Sequence, residues 1–227
     1  MLWTEEAVKG NLRNREGRRV FYLAKGDQLT SSARDFLTRE RIPILPASQA
    51  KPDRYRLLSG GFTEEKPEHM THLNGEFLVM KTHPRIAFRG KMDTLEAELI
   101  LCQLADPELV SPVGEVLALA RQIIRCDVLE ENLVWDKLCG LTEEEQRQRS
   151  HFPQEYYGQP HFMPGAADGI AIARLNRART AAREAELAGV AAFSDREGRP
   201  TREDLLKALN RMSSMLYILM IQWKGKA

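Results

Sequence analysis

Apolar residues recur at helical spacing through most of the chain after residue 83. Near the C-terminus Leu205, Leu209, Met212, Leu216 and Leu219 follow at alternating intervals of four and three, and Leu206 and Met220 widen the stripe enough for a bundle core. Gly198-Arg199-Pro200 breaks the chain ahead of this helix, which predicts Thr201 as its cap and Asp204 at the third helical position. Upstream, Ile86, Met92, Leu95, Leu99 and Leu104 keep near the same period. Val113, Val116, Leu117, Ala120, Ile123, Ile124 and Val128 form a broader stripe. A further helix is predicted from about Leu141, with a capping box between Thr142 and Glu145. Another is predicted over Gly169–Ala192, rich in Ala and Arg, with small residues where a neighbouring helix could approach closely.

The first seventy residues are different, dense in turns and charge. Arg19–Ala24 and Ile42–Leu45 read as short strands, and Thr30–Arg41 as a helix with Thr30 or Ser31 near its N-cap. Pro46 to Met70 carries Pro, Gly and charge without a period and reads as a connection open to movement. The expected organisation is a small extension over 1–70 with short strands and a helix, followed by a helical bundle over 71–227.

Composition narrows the function. The 227 residues carry a formal charge of only +1, so any anion site must be built locally from a few placed cations, without a general pull toward nucleic acid or anionic membrane. Cys102, Cys126 and Cys139 are odd in number and far apart, which supports neither a disulfide framework nor a zinc knuckle. They read as small core residues of a reducing compartment. No signal-peptide pattern and no span-length apolar run is present, so a soluble, intracellular chain is expected.

Three local features suggest chemistry. Arg179, Arg183 and Glu186 lie at i, i+4 and i+7 and share one helix face. Two guanidinium groups there could hold an oligophosphate, with the carboxylate fixing one of them; a solvated, salt-bridged face is the alternative. Asn210 and Arg211 sit in the apolar last helix, where a buried amide needs partners and an arginine can lay its stem over apolar neighbours. Lys81 and Arg85 precede or open a helix that carries Asp93, an arrangement that suits either an anion or a plain helix-entry turn. His69 and His72 form an HxxH without a third ligand, a weak metal signal. No P-loop, nucleophile elbow or GxGxxG turn occurs.

Three segments in order nonetheless resemble one family. KTHPRIAFRGKMDTLE (81–96) resembles the KxxPRIxxxGxxDELN segment of PduO-type corrinoid adenosyltransferases. FMPGAADGIAIARLNRARTAAREAE (162–186) resembles their LPGG…ARTxxRRAE segment, and NRMSSMLY (210–217) their NRLSDxLF helix. LTSSARDFL, THLNGEFLVMK and SHFPQEYYGQPHFMP are similar to the ethanolamine-utilisation branch, the EutT-like enzymes.

The resemblance implies a mainly α protein, a five-helix bundle with a small N-terminal α/β extension. It implies a trimer, with a dimer as the alternative, and an active site between subunits. Adenosyl transfer from ATP, with Mg²⁺, to a reduced cobalamin follows from it. So do a cytoplasmic or microcompartment location and handover to a B12-dependent ammonia-lyase. By position, Lys81 and Arg85 match phosphate-side cations, and Asp93 matches an acid that pairs across the interface with an arginine, here Arg179. Arg183, Glu186 and Asn210 match residues around ATP, and Arg211 supports that helix. Phe162, ahead of Tyr156 and Tyr157, is the first choice for an aromatic wedge that displaces cobalt's lower ligand.

Departures accompany the match. DELN reads Asp93-Thr94-Leu95-Glu96, THLNG replaces the phosphate loop TGDxGxT, and Glu184 and Leu187 stand where the family has cations. The CCxxC cluster of many ethanolamine-branch enzymes is absent from GGFTEEKPEHM, which implies a form working without that metal site. A corrinoid carrier or microcompartment interaction protein with the same bundle is the main alternative. An unrelated helical enzyme acting on another phosphorylated substrate is the second.

Overall fold

A computed structural model describes residues 1–50, 54–75 and 77–226. Two compact units divide the chain, Met1–His83 and Pro84–Ala227.

The first unit is built from short strands: β1 (Leu2–Trp3), β2 (Arg13–Arg15), β3 (Arg18–Leu23), β4 (Gln28–Leu29), β5 (Ile44–Pro46), β6 (Tyr55–Leu57), β7 (Phe62–Thr63), β8 (Met70–His72) and β9 (Phe77–Met80). Two helices, α1 (Glu5–Gly10) and α2 (Ser31–Arg39), accompany them. Seven strands form one mixed sheet in the order β5-β3-β2-β7-β6-β9-β8, while β1 and β4 pair separately. Thr30 caps α2 by accepting the Ala33 N–H, and α2 buries Ala33, Phe36 and Leu37, the i, i+3, i+4 set of one face. These close on Val8, Leu12, Phe21 and Ile42 as a small core.

The stretch from Pro46 to Met70 is more than a connection; residues 51–53 within it lie outside the described residues. It supplies β6 and β7, whose two or three residues are too short to show alternation. Met70–His72 and Phe77–Met80 form the β8–β9 hairpin, so the sheet runs on to Met80 and the first compact unit extends to His83.

Gly61 fixes where β7 meets β2. Its φ is +84°, and a Cβ there would stand 1.9 Å from the Leu12 carbonyl oxygen, the acceptor for the Phe62 N–H. Gly61→Ala is therefore expected to open the β2–β7 pairing. Hydrogen exchange at the Phe62 amide reads this out, and an unchanged rate would mean the contact relaxes without cost.

The second unit holds four long helices: α3 (Pro84–Ala105), α4 (Val110–Leu129), α7 (Gly169–Ala192) and α8 (Glu203–Lys224). Between α4 and α7 come a two-stranded hairpin, β10 (Lys137–Leu138) with β11 (Leu141–Thr142), then α5 (Glu143–His151) and α6 (Pro153–Tyr157). Helix α7 packs along both α3 and α8, α3 packs on α4, and α5 packs on α8. Its buried face is Ile172, Leu175, Ala178, Ala181, Ala182, Ala185 and Gly189, so mostly backbone and methyl groups meet the neighbours. A Cβ on Gly189 would sit 3.1 Å from Leu206 and 3.2 Å from Leu209, which shows how close α8 comes. The predicted stripe of α8 is buried throughout, with Leu206 half-buried at its margin. The capping box is present: Thr142 accepts the Glu145 N–H while Glu145 accepts the Thr142 N–H.

Two expectations need correction. Thr201 does not cap α8; its hydroxyl donates to the Phe193 carbonyl at 2.8 Å, and Arg202 takes the N-cap position. Asp204, the second residue of α8, accepts the Leu133 N–H and the Arg202 guanidinium instead. Leu104 is 78% exposed, because five residues beyond Leu99 it is turned away from the stripe, which continues at Cys102.

The cysteines are free; Cys102 and Cys126 are buried and Cys139 half-buried. Burial pushes the Cys102 and Cys139 thiols up to about 12, so they stay protonated and inert at neutral pH. Among the described residues no helix is long and apolar enough to cross a membrane.

Candidate functional site

Helix α7 carries two kinds of arginine. Arg177 faces acids: its Nε lies 3.1 Å from Glu98, and its guanidinium also reaches Glu184, which Lys91 holds at 2.8 Å. This is the solvated ion-pair face, and Glu184, which stands where the family has a cation, is part of it. Arg179 and Arg183 are one turn apart on another face, and no carboxylate pairs with either among the described residues. Arg179 donates through Nε and Nη2 to Asn176 Oδ1, at 3.2 and 2.9 Å, a neutral partner three residues earlier. Partial burial pulls the Arg179 pKa down, and the neighbouring Arg183 charge pulls it further the same way. Two adjacent cations with nothing to neutralise them favour a polyanion.

Glu186 does not fix an arginine of its own helix. It accepts the Asn210 amide from α8 at 2.8 Å, and Asn210 Oδ1 accepts the Arg211 guanidinium. This carboxylate–amide–guanidinium relay joins α7 to α8 and answers the question of the amide in an apolar helix. Burial lowers the Arg211 pKa, opposed by Glu143, Glu186 and Glu144.

Arg85 is committed elsewhere. Its Nε donates to Asp127 Oδ1 at 2.8 Å, Nη2 to the Asp127 carbonyl at 2.6 Å, and Nη1 to Glu130. Arg89 binds the other Asp127 oxygen at 2.6 Å, and Asp127 is fully buried, so this cluster ties α3 to α4. Asp93 is exposed on α3 and makes no ion pair within the described chain. Lys81 follows β9 in the first unit, its N–H bonded to the His69 carbonyl. THLNG closes β8 and opens the β8–β9 turn, where Asn74 Oδ1 accepts the Phe77 N–H. His72 stacks edge-on against Tyr55, and no group of three or more His, Cys, Asp or Glu among the described residues could hold a metal.

Phe162 is half-buried against the bundle core, with Lys224 Nζ 5.8 Å above its ring. Tyr156 is more exposed and lies under Arg149; Tyr157 packs on the core. Two neighbours of Phe162 were not singled out from the sequence. His161 Nδ1 is 2.7 Å from the Tyr217 hydroxyl, with the rings stacked at 5.7 Å, and Tyr217 also interacts with Arg179. Tyr217 ends the NRMSSMLY segment, which was the available signal; His161 had none, since its partner lies 56 residues away.

The fold and these side chains define a helical protein with adjacent cations on one helix and an aromatic loop held against the next. Comparison places it further: the chain belongs to the cobalamin adenosyltransferase family, whose profile matches residues 61–223. It is similar to the corrinoid adenosyltransferase EutT of Salmonella typhimurium strain LT2, 30% identical over 242 aligned positions that cover 96% of this chain and 90% of the relative. The protein of the same name from Escherichia coli K12 matches at the same identity and coverage.

Proposed function

We propose that this chain transfers the 5′-deoxyadenosyl group of ATP to the cobalt of cob(I)alamin, forming adenosylcobalamin and releasing triphosphate, in the service of ethanolamine utilisation. The observation that carries the reading is the pair Arg179 and Arg183, unneutralised on α7, in a chain of this family. The cobalt(I) lone pair attacks C5′, the C5′–O bond breaks, and its electrons leave with triphosphate. The two guanidinium groups stabilise the charge collecting on the leaving oxygens, and the Glu186–Asn210–Arg211 relay holds the seam that orients ATP for in-line attack. Arg85 is occupied by Asp127, so no phosphate contact is assigned to it; the reading rests on the helical unit alone. Lys81 is given no step.

The described residues fit no protein-built metal cage, so Mg²⁺ enters as the counter-ion of ATP and no step is routed through it. The five helices of the family bundle correspond in this reading to α3, α4, α5, α7 and α8, within the residues 71–227 proposed as the transferase part. In the assembly, proposed as a homotrimer with a dimer as the alternative, exposed Asp93 meets Arg179 of a second copy and leaves Arg183 as the cation unpaired before ATP binds. Handover of product to a B12-dependent ammonia-lyase, in the cytoplasm or a microcompartment, completes the proposal.

Phe162 is the proposed wedge against cobalt's lower ligand, whose loss eases reduction of cobalt(II). Phe162→Ala is expected to slow reactions started from cob(II)alamin more than those supplied with cob(I)alamin, and equal losses would remove that role. The function itself is tested with protein, ATP, Mg²⁺ and chemically reduced cob(I)alamin, followed anaerobically by visible absorbance. A light-sensitive alkylcobalamin with one triphosphate released per turnover is expected. Corrinoid binding without alkylation, beside an active homologue, would make the chain a carrier.

A further inference from the structure

The segment between α6 and α7 is fastened to α8 at two points. At its far end Asp168 accepts Lys224 Nζ and, at 2.7 Å, the Gly165 N–H. At its near end His161 bridges two elements: Nε2 lies 3.1 Å from the His151 carbonyl and Nδ1 2.7 Å from Tyr217 Oη. A carbonyl can only accept, so Nε2 donates; in the neutral ring Nδ1 then accepts and the Tyr217 O–H is the donor. Phe162 follows His161 directly in the chain, and its backbone N–H also acts on the Tyr217 oxygen. Tyr217 and Lys224 are seven residues, about two turns, apart on α8, and the Phe162 ring lies near Lys224. Between the fastenings Met163 is 92% exposed, and it is the half-buried Phe162 ring that packs the arch on the bundle.

We propose that Tyr217 is a positioning residue for Phe162, and that its hydroxyl, with His161, latches the loop whose aromatic ring meets the corrinoid. The same hydroxyl sits within electrostatic reach of Arg179, so one side chain borders both the phosphate-side cations and the aromatic loop. Tyr217 touches neither reacting atom; it sets the backbone from which Phe162 projects. The use made of the latch rests on the wedge reading of Phe162, whereas the latch itself does not.

Tyr217→Phe keeps the stacked ring and removes only the hydroxyl. Hydrogen exchange over residues 161–165 is expected to quicken about tenfold in this variant, the effect of losing roughly one net hydrogen bond; an unchanged rate overturns the latch. Turnover from cob(II)alamin, with reduced flavin as the one-electron donor, is expected to fall about tenfold further than turnover from supplied cob(I)alamin. Adding His161→Ala to Tyr217→Phe should cost little more than either alone, since both break one unit; additive losses overturn the shared latch. Faster exchange with equal losses from both cobalt states overturns the positioning role. If Phe162→Ala then also treats the two states alike, the wedge reading has failed rather than the latch.

Discussion

Arg183→Ala is expected to lower turnover from cob(I)alamin by about 30- to 1,000-fold, the consequence of losing about 2–4 kcal/mol of stabilisation where charge gathers on triphosphate. The protein itself should stay folded. Arg183 is exposed on α7 and makes no hydrogen bond or ion pair among the described residues, so no structural contact goes with it. Arg177→Ala, on the ion-pair face with Glu98 and Glu184, provides the contrast: a half-exposed pair of this kind contributes about 0–1 kcal/mol to stability and nothing to the leaving group. Arg183→Lys should recover only part of the loss, because a point charge replaces a fork that can bind two phosphate oxygens. A folded Arg183→Ala protein with full turnover would take the residue out of the mechanism.

Asp127→Ala is expected to destabilise the helical unit by about 3–5 kcal/mol, read from the urea midpoint by far-ultraviolet circular dichroism. The fully buried carboxylate is the shared partner of Arg85 and Arg89, each about one-sixth exposed. Without it, two mostly buried guanidinium groups lose the carboxylate they share, with the residue's own carbonyl and the exposed Glu130 among the partners that remain to Arg85. Replacing all three by apolar residues of similar volume should restore much of the loss, since the penalty comes from orphaned charge rather than from the pair's own attraction. An unchanged midpoint in the single variant would mean that water replaces the carboxylate at no cost.

The helices could be read because their signals are local. The Thr142–Glu145 box follows from capping within a few residues, and α7 from its run of Ala, Arg and small residues; each stands in the structure where it was expected. The sheet was only partly legible. Strands such as Phe62–Thr63 are two residues long, and β2 finds β7 with Asn14 opposite Thr63, a separation of 49 residues that no window spans. The site divides the same way. Arg179 and Arg183 share a face by spacing alone, and the Asn210 and Glu186 positions came with the motif order. The pairing of Arg85 with Asp127 could not be read, because the two lie 42 residues apart in the chain. Thr201 looked like a cap because its hydroxyl's acceptor, Phe193, belongs to the end of the previous helix.

The order β5-β3-β2-β7-β6-β9-β8 also sets a timetable for folding. A chain leaving the ribosome presents β2 and β3 as a hairpin early, yet one side of that hairpin stays unpaired until β7 follows, and the last strand needs Met80. Pairings of such sequence separation form slowly, whereas the later helices gather contacts quickly. For that interval the unit synthesised first carries open strand edges, the surfaces most prone to pair with another chain. Arg13, Arg15, Arg18 and Arg19, crowded on those two strands, supply like charge that keeps two nascent copies apart.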